Sequence, residues 1–131
     1  MPVPPTDTPT SAAPVDGAPA LSTLSRDNAS LYSADTKCEP KSATVVVDAT
    51  DADGIAGITL HWHFDHVVHT VAVRDEGSGE MVLQSPGHYS AGLGPFTGDG
   101  TATYWVTARD AFGQESTTDN QAVSVTATCI L

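Results

Sequence analysis

Positive charge, cysteine and long apolar runs are all scarce in this chain, and each scarcity excludes something. Five Lys and Arg stand against sixteen Asp and Glu in 131 residues, a formal charge of −11. A nucleic-acid surface needs a basic footprint, which this composition does not supply. Attraction to an anionic membrane is disfavoured for the same reason. No apolar run is long enough to cross a bilayer, so membrane insertion of this segment is not expected. Two cysteines cannot build a four-thiolate zinc site, and Cys38 and Cys129 are too far apart for a redox CxxC pair. The start, MPVPPTD, lacks the basic and apolar regions of a signal peptide. The chain therefore reads as a segment of a larger secreted or membrane-anchored protein.

Six of the nine prolines fall in the first twenty residues, MPVPPTDTPTSAAPVDGAPA, which contain no aromatic side chain. Such a stretch buries too little apolar surface to offset its ordering entropy. Residues 1–20 are thus read as a disordered tether and 21–131 as one folded domain. A structural disulfide between Cys38 and Cys129 brackets most of that domain. It closes a loop of about 90 residues, worth roughly 4–5 kcal/mol in the chain-entropy model. It also implies an oxidising, extracytoplasmic location. Two unpaired buried thiols are the alternative.

Between the cysteines, no stretch keeps helical periodicity over three turns, whereas short alternating runs recur between turn signals. Leu21–Ser33 carries weak strand signals, and Ala43–Ala49 (ATVVVDA) is rich in β-branched residues and clearly a strand. In Gly57–Phe64 (GITLHWHF), Ile58, Leu60, Trp62 and Phe64 share one face, with Thr59, His61 and His63 on the other. Val67–Val73 is expected to pair back across Asp65-His66, followed by a loop over Asp75–Glu80. Met81–Gln84, His88–Leu93, Thr101–Arg109 and Ser116–Cys129 complete seven or eight strands, an all-β antiparallel sandwich. Ala102, Tyr104, Val106 and Ala108 should face the core. A buried Tyr104 hydroxyl needs a partner, for which a bond to nearby backbone is the usual solution.

The succession TLHWHF, HYSAGLGPF and TATYWVTARDAFGQ resembles the immunoglobulin-like or fibronectin type III-like modules of secreted actinobacterial proteins. The resemblance spans roughly residues 30–129 and rests on Trp62, Tyr89, Leu93, Gly94-Pro95, Tyr104, Val106, Ala108 and Asp110. It implies an immunoglobulin-like sandwich of about seven strands, with the Trp62 strand beside the Trp105 strand. Histidine enrichment around Trp62 and extra residues between Phe64 and Met81 depart from the pattern.

Three constellations stand out. His61, His63, His66 and His69 fall within nine residues. His61 and His63 lie about 7 Å apart on one strand face, where two imidazoles can converge on zinc or copper. Candidates for a third ligand are Asp65, His66 and His69, although pairing back across Asp65-His66 would put His69 beside Trp62 on the other face. These histidines are otherwise polar surface groups or a pH-sensitive contact. The second constellation is Asp48-Ala-Thr-Asp51-Ala-Asp53-Gly54. It fails as an EF-hand, because Ala49 and Leu60 occupy its first and last ligand positions. It can still meet Asp110 and Glu115 at one end of the sandwich, or serve as a tight turn. The third is an outward stripe of Trp105 and Arg109 beside His61 and His63, residue types that anchor interfaces.

Ser78 in EGSGE and Ser90 in HYSAG do not match a nucleophile elbow, so no enzyme is expected. No cofactor is expected either, beyond zinc at His61 and His63. The reading is a monomeric, non-catalytic extracytoplasmic module, either a spacer or a unit contacting an unidentified protein or glycan. A metal- or pH-responsive sensor domain is the alternative.

Overall fold

A computed structural model describes residues 17–129. Ten strands follow one another: β1 (Ala20–Arg26), β2 (Ser30–Tyr32), β3 (Ala43–Thr50), β4 (Ile55–Val68), β5 (Val71–Glu80), β6 (Val82–Ser85), β7 (His88–Leu93), β8 (Gly100–Asp110), β9 (Glu115–Thr117) and β10 (Gln121–Thr126). Residues 1–16 of the tether expected over 1–20 lie outside those described, and Ala20 already opens β1. Pro19 is buried and accepts a hydrogen bond at its carbonyl from Ser116 Oγ at 2.5 Å.

The strands form two sheets. One has the order β1-β3-β7-β6 and the other β2-β10-β8-β4-β5, with β9 pairing β8. In immunoglobulin letters these are A-B-E-D and, from β10, G-F-C with one strand added beyond C. The strand order therefore makes this an immunoglobulin-like sandwich. β2 is the exception to antiparallel pairing, running parallel to β10.

Alternation explains the layers. In β3, Ala43, Val45, Val47 and Ala49 are buried while Thr44, Val46 and Thr50 are exposed. In β8, Ala102, Tyr104, Val106 and Ala108 all point inward, at most 1% exposed. Leu31, Ile58, Leu60, Phe64, Met81, Leu93, Phe96, Val123 and Val125 complete the core between the sheets. Burying each large aliphatic or aromatic side chain contributes about 1.5–3 kcal/mol. The opposite faces of β4 and β8 are thereby committed to solvent, and they carry His61, His63 and Trp105.

Cys38 and Cys129 form the disulfide, with Cα atoms 5.9 Å apart. It ties the segment between β2 and β3 to the chain beyond β10, at the edge of the core. Trp62 meets Phe96 edge-on instead, with ring centroids 5.1 Å apart.

Several sequence expectations need correction. The hairpin turns at His69-Thr70, not Asp65-His66, because Val67 and Val68 extend β4. His69 therefore lies at the tip, and Gly77 occupies the position beside Trp62. The expected loop at Asp75–Glu80 is the second half of β5, paired residue by residue with Phe64 to Thr59. Glycine and acidic residues disfavour strands locally, but a long partner overrides that preference. Ser116–Cys129 is not one strand, since β9 and β10 are separated. Finally, the Tyr104 hydroxyl is met by the Arg26 side chain rather than by nearby backbone.

Candidate functional site

The outer face of the larger sheet is set by register. His61 lies opposite Trp105 on β8 and Ser78 on β5, and His63 lies opposite Thr103 and Glu76. Asp65 is matched to Arg74, and Thr59 to Thr107 and Glu80. Three neighbouring strands thus present one polar surface, with a single large aromatic at its middle.

Trp105 is half-buried because both imidazoles pack against it. His61 stacks nearly parallel to the indole, with centroids 5.6 Å apart and planes at 14°. His63 lies at 5.7 Å and is tilted by 60°. These rings, with Glu76, Ser78 and the strand at Trp62 and Gly77, line a depression of about 380 Å³. A second depression, of about 270 Å³, begins on the other side of His61. It is lined by Thr59, Glu80, Thr107, Arg109 and Glu115 among others. His61 is the wall between the two, so the surface is a divided trench.

An ion-pair chain borders the trench. Arg74 donates from Nε to Asp65 Oδ1 at 2.6 Å and from Nη2 to Oδ2 at 3.2 Å. The hydrogen-bonded Arg74 guanidinium holds the Asp65 carboxyl below its ordinary range, assisted by its charge and by His63. Asp65 in turn keeps the guanidinium protonated to higher pH than usual. His63 Nδ1 lies 3.1 Å from Asp65 Oδ2, close enough for an ion pair but poorly aligned for a hydrogen bond.

Of the candidate third ligands, His66 and His69 do not join this face. His66 is on the inner face of β4, stacked on Phe64 at 4.7 Å, and its Nε2 pairs with Asp75 Oδ2 at 2.8 Å. His69 sits in the hairpin turn. Asp65 does share the face, engaged with Arg74 and against His63. Arg109 is present and exposed, two positions further along the outward stripe from Trp105.

The fold also brings Asp51, Asp53 and Asp110 together, with one carboxylate oxygen from each within 4.8 Å of the others. Glu115 is exposed on β9 opposite Arg109, apart from that trio. Each turn uses its aspartate as an acceptor. Asp51 Oδ1 takes the Asp53 amide at 2.7 Å, and Asp110 Oδ1 takes the amides of Phe112 and Gln114 at 2.9 Å. These bonds match the tight-turn reading, in which aspartate side chains complete the turn.

Glu76 and Ser78 were missed by the sequence reading, which placed them in a loop. Alternation across Asp75–Glu80 would have found them once the turn was set at His69-Thr70. No family model matches the chain, and no curated protein does. A solved structure of murine CRIg is similar at 13% identity and a TM-score of 0.43, over 86% of this chain and all of that one. At that score the likeness carries no argument, and the immunoglobulin-like assignment rests on this chain's own strand order.

Proposed function

We propose that this domain is a non-catalytic binding or spacer module of a larger extracytoplasmic protein. Its contact surface is the outer face carrying Trp105, His61, His63 and Arg109. The observation that carries this reading is Trp105, packed against two imidazoles and lining a depression on an otherwise polar sheet. An aromatic fixed by its neighbours loses little entropy on contact, and aromatic and arginine side chains dominate interface energetics. The partner is a protein or a glycan, either of which can pack on an indole edge and hydrogen-bond to His63, Glu76 or Ser78. The disulfide supports the extracytoplasmic placement.

The test is a glycan array and a screen of extracytoplasmic proteins with the wild-type domain, repeated with Trp105→Ala. A partner lost with Trp105→Ala, at unchanged melting temperature, supports the reading. A partner retained by that variant removes the outer face from the contact.

A second reading, a metal-responsive domain, is favoured by one observation. His61 and His63 line the same depression, and a carboxylate faces the ring nitrogen of His63 that points away from solvent.

A further inference from the structure

We infer that His61, His63 and Glu76 form a site for a borderline divalent cation, zinc or copper(II), on the outer face of the β4–β5 hairpin. This deepens the metal-responsive reading and rests on it, sharing His61 and His63 with the contact surface but not needing the Trp105 indole.

The placement comes from register. His61 and His63 project from alternate positions of β4, and Glu76 stands directly across from His63 on β5. Side chains facing one another across paired strands have Cβ atoms about 4.5–5.5 Å apart, and diagonal neighbours lie within reach of long side chains. Glu76 is exposed, and all three residues line the same 380 Å³ depression. The three donors do not stand as a preformed cluster among the described residues, so bringing two ring nitrogens and a carboxylate oxygen to about 2.0–2.2 Å from one ion requires their side chains to rotate. Water completes a tetrahedron. Two imidazoles and one carboxylate are a borderline donor set, which selects zinc or copper over calcium or magnesium.

The surroundings supply what a bare histidine pair lacks. A metal-bound histidine characteristically directs its second nitrogen at a carboxylate, which fixes the tautomer and raises ligand basicity. His63 Nδ1 lies 3.1 Å from Asp65 Oδ2, near enough for that partnership once the ring turns into line. Asp65 is itself oriented by the two-point contact from Arg74. Trp105 packs against both imidazoles, which places a fluorophore beside the site. A chain of net charge −11 also favours a cation at its surface.

The experiment is calorimetric titration of the full, tag-free chain with zinc chloride, paired with copper(II) quenching of tryptophan fluorescence. One equivalent should bind at micromolar or tighter zinc. His61→Gln and His63→Gln should each weaken binding at least tenfold, with amide spectra showing an intact fold. Glu76→Gln, at an exposed position that cannot compromise folding, should weaken it about tenfold. Asp65→Asn should weaken it within the ~10–100-fold range of lost outer-shell partners. Copper quenching should fall in Trp105→Phe while zinc affinity is kept, which separates this site from the Trp105 contact. Zinc binding only at millimolar concentration overturns the inference. So does zinc affinity unchanged by His61→Gln and His63→Gln, or imidazole shifts confined to His66, His69 and His88. An unchanged affinity in Glu76→Gln overturns the assignment of the third ligand.

Discussion

Arg26 donates from Nη1 to the Tyr104 hydroxyl at 3.0 Å, and its guanidinium carbon lies 5.9 Å from the ring centroid. One residue is on the edge strand β1 of the smaller sheet and the other is on central β8 of the larger. The contact therefore bridges the layers and gives a buried phenol its partner. The same guanidinium donates to the carbonyls of Asn28 and Ala29, at 2.8 and 3.0 Å, which fixes the turn between β1 and β2. Arg26→Met leaves the hydroxyl without this donor. A buried polar group deprived of its partner costs about 1–3 kcal/mol. We expect that loss in urea unfolding of Arg26→Met, and a smaller one when Tyr104→Phe is made in the same background. An unchanged urea midpoint in Arg26→Met would mean that the hydroxyl bond contributes nothing net.

That Tyr104 would need a partner was legible in the sequence, because its neighbours at alternate positions are all apolar. The partner's identity was not, since Arg26 lies 78 residues away in the chain. The same division runs through the fold. Period-two patterns gave the inner faces of β4 and β8 directly, because burial on one face imposes alternation. The β4–β5 hairpin misled because its turn lacks glycine and asparagine, while Gly77 and Gly79 lie inside a strand. Glu76 was lost from the site for that reason alone, and the placement of His61 and His63 survived.

The hairpin turn itself is strained. His69 and Thr70 both have positive φ, 51° and 66°, a combination two-residue hairpins normally satisfy with Asn-Gly. A β-branched residue is disfavoured there, and the left-handed region costs about 1–2 kcal/mol per ordinary residue. Replacing His69-Thr70 by Asn-Gly should raise stability by about 1 kcal/mol after the added glycine entropy of the unfolded chain is subtracted. Matched urea curves will measure it. A lower midpoint would show that the His69 and Thr70 side chains contribute more than their backbone strain costs.

The disulfide makes a different prediction, because its effect lies largely in the unfolded chain. Cys38 and Cys129 are 91 residues apart in sequence. The chain-entropy estimate for such a loop, about 4–5 kcal/mol, is an upper figure. Reduction should lower the melting temperature clearly while leaving the sandwich signature in circular dichroism at 20 °C. Equal melting of the oxidised protein and the fully reduced protein, checked by thiol titration, would remove the bridge from the account of stability.

Gly77 and Gly79 offer the sharpest contrast, because they share the β5 edge and face β4 at adjacent inward positions, opposite Trp62 and Leu60. A Cβ on Gly77 would come within 2.7 Å of Trp62 Cε2 and closer still to Cζ2, whereas one on Gly79 would meet nothing within 4 Å. The indole lies across the bare backbone of Gly77, and its edge contact with Phe96 depends on that position. Gly77→Ala must push the ring away, at a cost of about 1–3 kcal/mol for an overpacked site. Gly79→Ala has space and should be neutral, or stabilising by about 0.5–1 kcal/mol through the lost freedom of glycine. In a Trp105→Phe background, where Trp62 is the sole indole, Gly77→Ala should also shift the emission maximum as the ring moves toward solvent. If the two alanines behave alike in both stability and emission, Trp62 does not pack over Gly77 in solution. The inner wall of the hairpin, on whose outer face the histidines stand, would then be built differently.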